Sequence, residues 1–212
     1  MELKALRREY LKGGLRRENI DADPLQQFSL WMDQALAADI TDPTAMIVAT
    51  ADRDCLISQR IVLLKDFDQR GFVFYSNYES SKARDIAVNS RVSLHFPWHT
   101  LERQVVVSGL AEKVTTEESR DYFNDRPRES QLAAWASAQS RVIGSRAELD
   151  EQYETIKRKF GDGEIPLPEF WGGYRVRPVR IEFWQGGKNR LHDRFVYSVQ
   201  KGGGWKIERL SP

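Results

Sequence analysis

The spacing of apolar residues changes near residue 40. Upstream, Asp23 followed by Pro24 marks a helix start, and Leu25, Phe28, Met32 and Leu36 recur at helical spacing, which predicts a helix to about Ala38. Downstream, "AMIVATA", "SQRIVLLK", "GFVFYSN", "RVSLHFP" and "RQVVVSGLAEKV" are short β-branched and aromatic runs parted by polar turns such as "DFDQRG". They predict a meander of antiparallel strands that closes as a barrel or sandwich. A short helix is expected from Ser80, a candidate N-cap, to about Asn89. Thr115 with Glu118, and Ser145 with Glu148, are capping-box patterns. After the second, Leu149, Tyr153, Ile156 and Phe160 form one apolar stripe stopped by Gly161 and Gly163, a helix with a structural role. "GGYRVRPVRIEFWQ", "DRFVYSV" and "GWKIERL" return to strands. No repeat, low-complexity segment or linker cuts the chain, so residues 1–22 read as a charged arm and 23–212 as one mainly β domain with flanking helices.

Composition narrows the partners. With 212 residues, 41% hydrophobic and 30% charged, the chain can bury one core without covalent staples. Its 32 basic and 31 acidic residues leave a net charge of +1, so no broad field invites nucleic acid or an anionic membrane, and any basic cluster needs a local explanation. The single Cys55 excludes an intrachain disulfide and a cysteine zinc site, which fits a reducing compartment. "MELKALRREYLKGGLRREN" lacks the apolar core of a signal peptide, and no run approaches the roughly 20 apolar residues of a membrane span. A cytoplasmic protein is expected.

Four stretches could carry chemistry. In "YFNDRPRESQ", Tyr122 and Arg126 stand four apart at a helix end, and Pro127 followed by Ser130 announces a new helix, capped by Ser130 and running to about Ala138. Free N–H groups, a hydroxyl and a guanidinium suit a phosphate, although a plain cap beside a solvated arginine would look the same. In "SNYESSKARD", Ser80, Ser81 and Lys82 open another helix, where a cation opposes the helix dipole unless an anion intervenes; a lysine without a ligand is the alternative. In "QRIVLLK", Arg60 and Lys65 are an odd number of residues apart, so both reach one ligand only if one lies at a bulge or strand end. In "QGGKNRLHDR", an extended backbone would line up Arg190, His192 and Arg194 on one face, with Leu191, Asp193 and Phe195 on the other, and such a face calls for an anion. HExxH, GxSxG, GxxxxGK[ST] and GxGxxG are all missing, which removes zinc-hydrolase, serine-hydrolase and P-loop readings. His95 and His99 have no third ligand nearby, so no metal is expected. Six tryptophans could stack bases on a barrel, but the balanced charge argues against nucleic acid.

"LRREYLKGGL", "DPTAMIVAT", "QRIVLLK", "FPWHTLERQV", "YFNDRPRESQ", "PLPEFWGGYRV", "IEFWQGG" and "RLHDRF", in this order from about Leu6 to Pro212, resemble the pyridoxine/pyridoxamine 5′-phosphate oxidase family. The resemblance implies a split β-barrel that binds FMN in clefts between the subunits of a homodimer. By the same resemblance the flavin would meet Arg60, Ile61, Val62, Leu63, Leu64, Lys65, Tyr75, Ser76, Ser81, Lys82, Gln104, Gln139, Ser140, Trp184 and Arg194. The phosphate of pyridoxine or pyridoxamine 5′-phosphate would meet Lys65, Tyr122, Arg126 and Ser130. Arg190, Leu191 and His192 would face its ring, with Arg190 and His192 catalytic, and the arm would close over it through Arg7, Arg8, Glu9 and Tyr10. Flavin would accept a hydride and dioxygen would reoxidise it, releasing hydrogen peroxide. Three departures, Ser81 for a basic residue, Glu79 for a glycine, and Cys55 and Ile57 for a Gly-x-Pro turn, lead to the expectation of an active oxidase with looser FMN. A different split-barrel flavoprotein, or a barrel that only binds a ligand, are the competing classes.

Overall fold

The computed structural model describes residues 9–11 and 14–212; Arg7 and Arg8 lie outside them. Helix α1 (Pro24–Ala37) starts where proline needs no N–H partner and where Asp23 accepts from the Leu25 N–H at 2.9 Å. It buries Leu25, Phe28, Trp31, Met32 and Ala35 against the sheet. Phe28 anchors that face, its ring edge-on to Phe67, Phe72 and Phe96 at centroid distances of 4.9–5.0 Å.

Among the described residues, nine strands make one antiparallel sheet: β1 (Ala45–Ala51), β2 (Ile57–Leu63), β3 (Asp66–Asp68), β4 (Gly71–Asn77), β5 (Arg91–Trp98), β6 (Arg103–Lys113), β7 (Trp171–Gln185), β8 (Asp193–Val199) and β9 (Trp205–Leu210). The order is β2-β1-β5-β6-β7-β4-β3, with β8 also on β7 and β9 on β8. This is not the simple meander expected. Hairpins are adjacent in sequence, yet β1 pairs with β5 and β4 with β7, because the apolar faces of the hairpins find one another across long connections. β3 occupies the polar "DFDQRG" stretch that reads as a turn. The two ends of the order, β2 and β3, are joined by only Leu64 and Lys65, and the Lys65 N–H donates to Val73 O at 2.9 Å. A sheet whose ends are so tied must curl, which gives the barrel.

At 15 residues β7 is long enough to serve two partners on one edge, β4 with its first part and β8 with its second. A bulge at Ser108/Gly109 bends β6 along it, and a Cβ on Gly109 would sit 2.4 Å from Arg177 O. Outside the barrel, α2 (Ser81–Val88) follows β4, while α3 (Thr116–Asn124), α4 (Arg128–Ala136) and α5 (Arg146–Phe160) enclose a second cluster around Phe123, Leu132, Ile165 and Trp171. The Thr115–Glu118 capping box forms in full. At Ser145 only half of the box forms, because the Glu148 carboxylate accepts from Gly144 N–H. Ser80 occupies its N-cap position, but its hydroxyl takes a hydrogen bond from Lys82 Nζ instead of capping.

Candidate active site

A cavity of about 490 Å³ lies between β2, β4, α2 and the α3–α4 turn, lined by Arg60, Ile61, Val62, Leu63, Lys65, Tyr75, Ser76, Lys82, Tyr122, Arg126, Pro127, Ser130, Gln139 and Trp171. Leu64 turns into the core instead. The difficulty of Arg60 and Lys65 resolves at the strand end, since β2 stops at Leu63 and Lys65 lies in the link beyond it. The new helix begins at Arg128, with Pro127 at the N-cap position, not at Ser130: the proline carbonyl accepts from the Ser130 and Gln131 N–H groups, and Ser130 sits in the first turn. Its side chain still reaches the cavity.

The cavity is cationic and underneutralised. Buried Lys82 gives its Nζ to Gln139 Oε1 (2.8 Å), Ser76 Oγ (2.9 Å) and Ser80 Oγ (3.3 Å) and meets no carboxylate among the described residues. Burial, then the neighbouring Arg60, depress its pKa to about 8. Arg126 lies over the Trp171 ring at 4.7 Å, and its Nη1 is buried with no hydrogen-bond partner among the described residues. Burial lowers its pKa, opposed by Tyr122. A buried guanidinium N–H without an acceptor is costly, and a phosphate oxygen would satisfy it. The wall is a stack of three rings: Tyr75 on Tyr122 at 3.9 Å and on Trp171 at 5.6 Å. Burial above all lifts the Tyr75 phenol to about 12, so it stays protonated and donates to Glu118 O at 3.3 Å. Nearby, Ser81 and Ser140 hydroxyls meet at 3.3 Å, with Ser140 at φ 66°.

The other expected residues form a separate group. Tyr10 meets Trp184 and His192 edge-on at 5.7 and 5.4 Å, and shares a small recess with Gln104. Glu9 is exposed. The Gly187 N–H donates to His192 Nδ1 at 3.1 Å, so a neutral ring carries its proton on Nε2. The single extended face drawn from "RLHDR" does not form. Lys188–Arg190 is a 3-10 turn with Asn189 and Arg190 at φ 55° and 63°, and β8 begins only at Asp193. Exposed Leu191 and half-buried His192 link turn to strand, and Arg194 is held by Glu182 (2.7 and 2.8 Å) and Ser211 O (2.9 Å). Within one chain this group and the cationic cavity share no lining residue.

No motif in the sequence points to Trp171 itself, although "FWGGY" holds a signal: a Cβ on Gly172 would fall 2.2 Å from Tyr78 Oη, and one on Gly173 2.7 Å from Val114 Cγ2 and 2.9 Å from Tyr75 Cε1, so neither position leaves room for a side chain beside these rings.

The sequence profile of pyridoxamine 5′-phosphate oxidase matches residues 32–159, and that of the pyridoxine 5′-phosphate oxidase C-terminal dimerisation region matches residues 171–212. Proteins named pyridoxine/pyridoxamine 5′-phosphate oxidase from Vibrio vulnificus and Teredinibacter turnerae are 58% and 59% identical over 212 residues, the whole of both chains in each case. Among solved structures, PhzG from Burkholderia lata 383, in complex with tetrahydrophenazine-1-carboxylic acid, superposes with a TM-score of 0.87 at 27% identity over 93% of this chain and 98% of its own. An FMN-binding protein from Nostoc punctiforme shares the fold, with a TM-score of 0.70 at 12% identity over 87% of this chain and 97% of its own. With full-length relatives at this identity, the chain belongs to the pyridoxine/pyridoxamine 5′-phosphate oxidase family.

Proposed function

We propose that the protein is an FMN-dependent oxidase that converts pyridoxine 5′-phosphate and pyridoxamine 5′-phosphate to pyridoxal 5′-phosphate and releases hydrogen peroxide, working as a homodimer. The observation that carries this reading is the cationic cavity in which, among the described residues, the buried Arg126 Nη1 at one end has no acceptor and Lys82 at the other has no carboxylate. Two such points suit two phosphates. FMN fits at the Arg60, Ser76, Lys82 and Gln139 end, and the substrate phosphate at Lys65, Tyr122, Arg126 and Ser130. When bound, FMN supplies the two-electron oxidation and passes the electrons to dioxygen. The protein binds, aligns and dries. Arg126 and the first turn of α4 hold the phosphate, the Tyr75–Tyr122–Trp171 wall keeps water out, and His192 offers an N–H at Nε2. The alcohol substrate loses two electrons and two protons to dioxygen; the amine also takes up water and loses ammonia.

Homodimerisation would bring the Tyr10, Gln104, Trp184, Arg190 and His192 group of one subunit to the cationic cavity of the other. The match of residues 171–212 to a dimerisation region supports it. Purified protein supplied with FMN should turn yellow and release peroxide from pyridoxine 5′-phosphate. Arg126→Ala should raise KM by a factor on the order of 10 to 100, about 1.4 to 3 kcal/mol of charge-assisted hydrogen bonding, with flavin content unchanged. Protein that stays colourless and gives no peroxide would overturn the reading. Equal loss of flavin and substrate affinity in Arg126→Ala would reassign that phosphate site.

A further inference from the structure

Arg60 reaches the cavity from within a hydrogen-bonded frame whose other members, Thr50, Ser58 and Asp85, do not line it. Its Nη1 donates to Thr50 Oγ1 at 2.7 Å and its Nη2 to Ser58 Oγ at 2.6 Å. The two hydroxyl oxygens are 3.3 Å apart, and both lie close to a single oxygen of Asp85 on α2, Thr50 at 2.6 Å and Ser58 at 3.1 Å. Arg60 itself is 4.0 Å from that oxygen. A guanidinium only donates, an ionised carboxylate only accepts, and each hydroxyl has one proton. Both hydroxyls must therefore turn their lone pairs to Arg60 and their protons to Asp85. The result is an ion pair bridged by two hydroxyls, all pointing one way, in a place where Thr50 is buried and Arg60 and Asp85 are largely so.

That frame consumes one side of the guanidinium. Nη1 is further held by Val48 O and Ser58 O, at 3.3 and 3.2 Å. Of the five N–H groups, Nε–H and the second Nη2 hydrogen find no acceptor among the described residues. Together they form the other edge of the fork, the geometry that two phosphate oxygens accept in parallel. We propose that Asp85 is a positioning residue for the cofactor phosphate: acting through Thr50 and Ser58, it holds Arg60 so that this free edge faces the cavity, without itself touching the ligand. The inference rests on reading the cavity as a flavin phosphate site.

Titration of apoprotein with FMN, followed by quenching of flavin fluorescence, tests it without turnover. Asp85→Ala removes the acceptor of both hydroxyls, lets them rotate and frees the guanidinium, so Kd should rise about tenfold. Asp85→Asn keeps an amide oxygen able to accept both hydroxyls while removing a negative charge near the phosphate, so its Kd should equal the wild-type value or fall below it. Thr50→Val combined with Ser58→Ala leaves the carboxylate but breaks the bridge, and should weaken binding as Asp85→Ala does. Asp85→Ala binding within twofold of wild type would overturn the proposal, as would Asp85→Asn falling as far as Asp85→Ala. Wild-type protein that takes up no FMN would instead sink the flavin reading, and this inference with it.

Discussion

Lys82 is buried in its charged form with no carboxylate among the described residues to offset it, its ammonium meeting neutral oxygens of Ser76, Ser80 and Gln139. Burial first, and Arg60 second, bring its pKa down to about 8 from an ordinary value of 10.5. The free protein thus loses this proton near pH 8, whereas a bound phosphate dianion stabilises the ammonium and raises its pKa again. Binding then takes up a proton above that point, so the affinity contributed by Lys82 is complete below pH 8 and is lost as pH climbs through the bound-state value. FMN should bind more weakly at about pH 9.5 than at about pH 7, by several-fold in Kd. Lys82→Met should bind weakly at both and show no such slope. A wild-type Kd that is flat over this range would mean that Lys82 does not meet the phosphate. The residue types at this site were legible in "SSKARD", because a cation at a helix start is unfavourable alone. The frame behind Arg60 was not, since Thr50, Ser58 and Asp85 come together only through the β1–β2 register and the packing of α2.

At the scale of elements, runs with an unbroken local signal were readable to the residue. "AMIVATA", "GFVFYSN" and "DRFVYSV" are β1, β4 and β8, and Asp23-Pro24 starts α1. What sequence could not supply was pairing, which depends on faces far apart in the chain, and conformations set by the fold rather than by propensity. Arg190 at φ 63° is one case, where the 3-10 turn replaces the extended strand expected. Cys55 is another: it takes φ 62° in the β1–β2 turn and Asp52 accepts from the Asp54 and Leu56 N–H groups, so the hairpin closes without the Gly-x-Pro turn. The arm is a third. Glu102, buried at φ 54° between a 3-10 turn and β6, accepts from the Leu11 N–H at 2.8 Å, and Asp193 accepts from the Leu15 N–H at 2.9 Å. These two bonds hold the chain at Leu11 and Leu15, next to the place where Tyr10 meets Trp184 and His192. Glu102→Ala should release it without altering the backbone preference at that position, and trypsin should cleave within the arm several-fold faster. Glu102→Gln retains an acceptor and should resist like wild type. Unchanged cleavage in Glu102→Ala would show that the arm is held by other contacts.

For the whole molecule, the question is what covers β2. It ends the hydrogen-bonded order of the sheet, and along its outer face Ile57 and Ile61 are 67% and 71% exposed, with Leu56 at 70% in the turn before them. An apolar face on a terminal strand invites association, and a second copy of the chain is the occupant that also explains why the expected site is divided between two regions. Inside one chain, Arg60, Lys82 and Arg126 line one cavity, while Tyr10, Gln104 and Trp184 line another recess. A flavin needing contacts from both groups requires two chains, so dimerisation and cofactor retention should fail together. Ile61→Glu tests this on a side chain already largely in solvent, where a charge costs the isolated fold little, within about 0.5 kcal/mol. Analytical ultracentrifugation should find wild type at twice the chain mass of 24.5 kDa and the variant at the single-chain mass. Because Ile61 also lines the cavity, flavin loss alone could be local, and the sedimenting mass decides. A variant that remains dimeric and merely loses flavin would move the subunit interface away from β2. A wild-type protein that sediments as one chain yet stays yellow would show that a single cationic cavity holds the cofactor unaided.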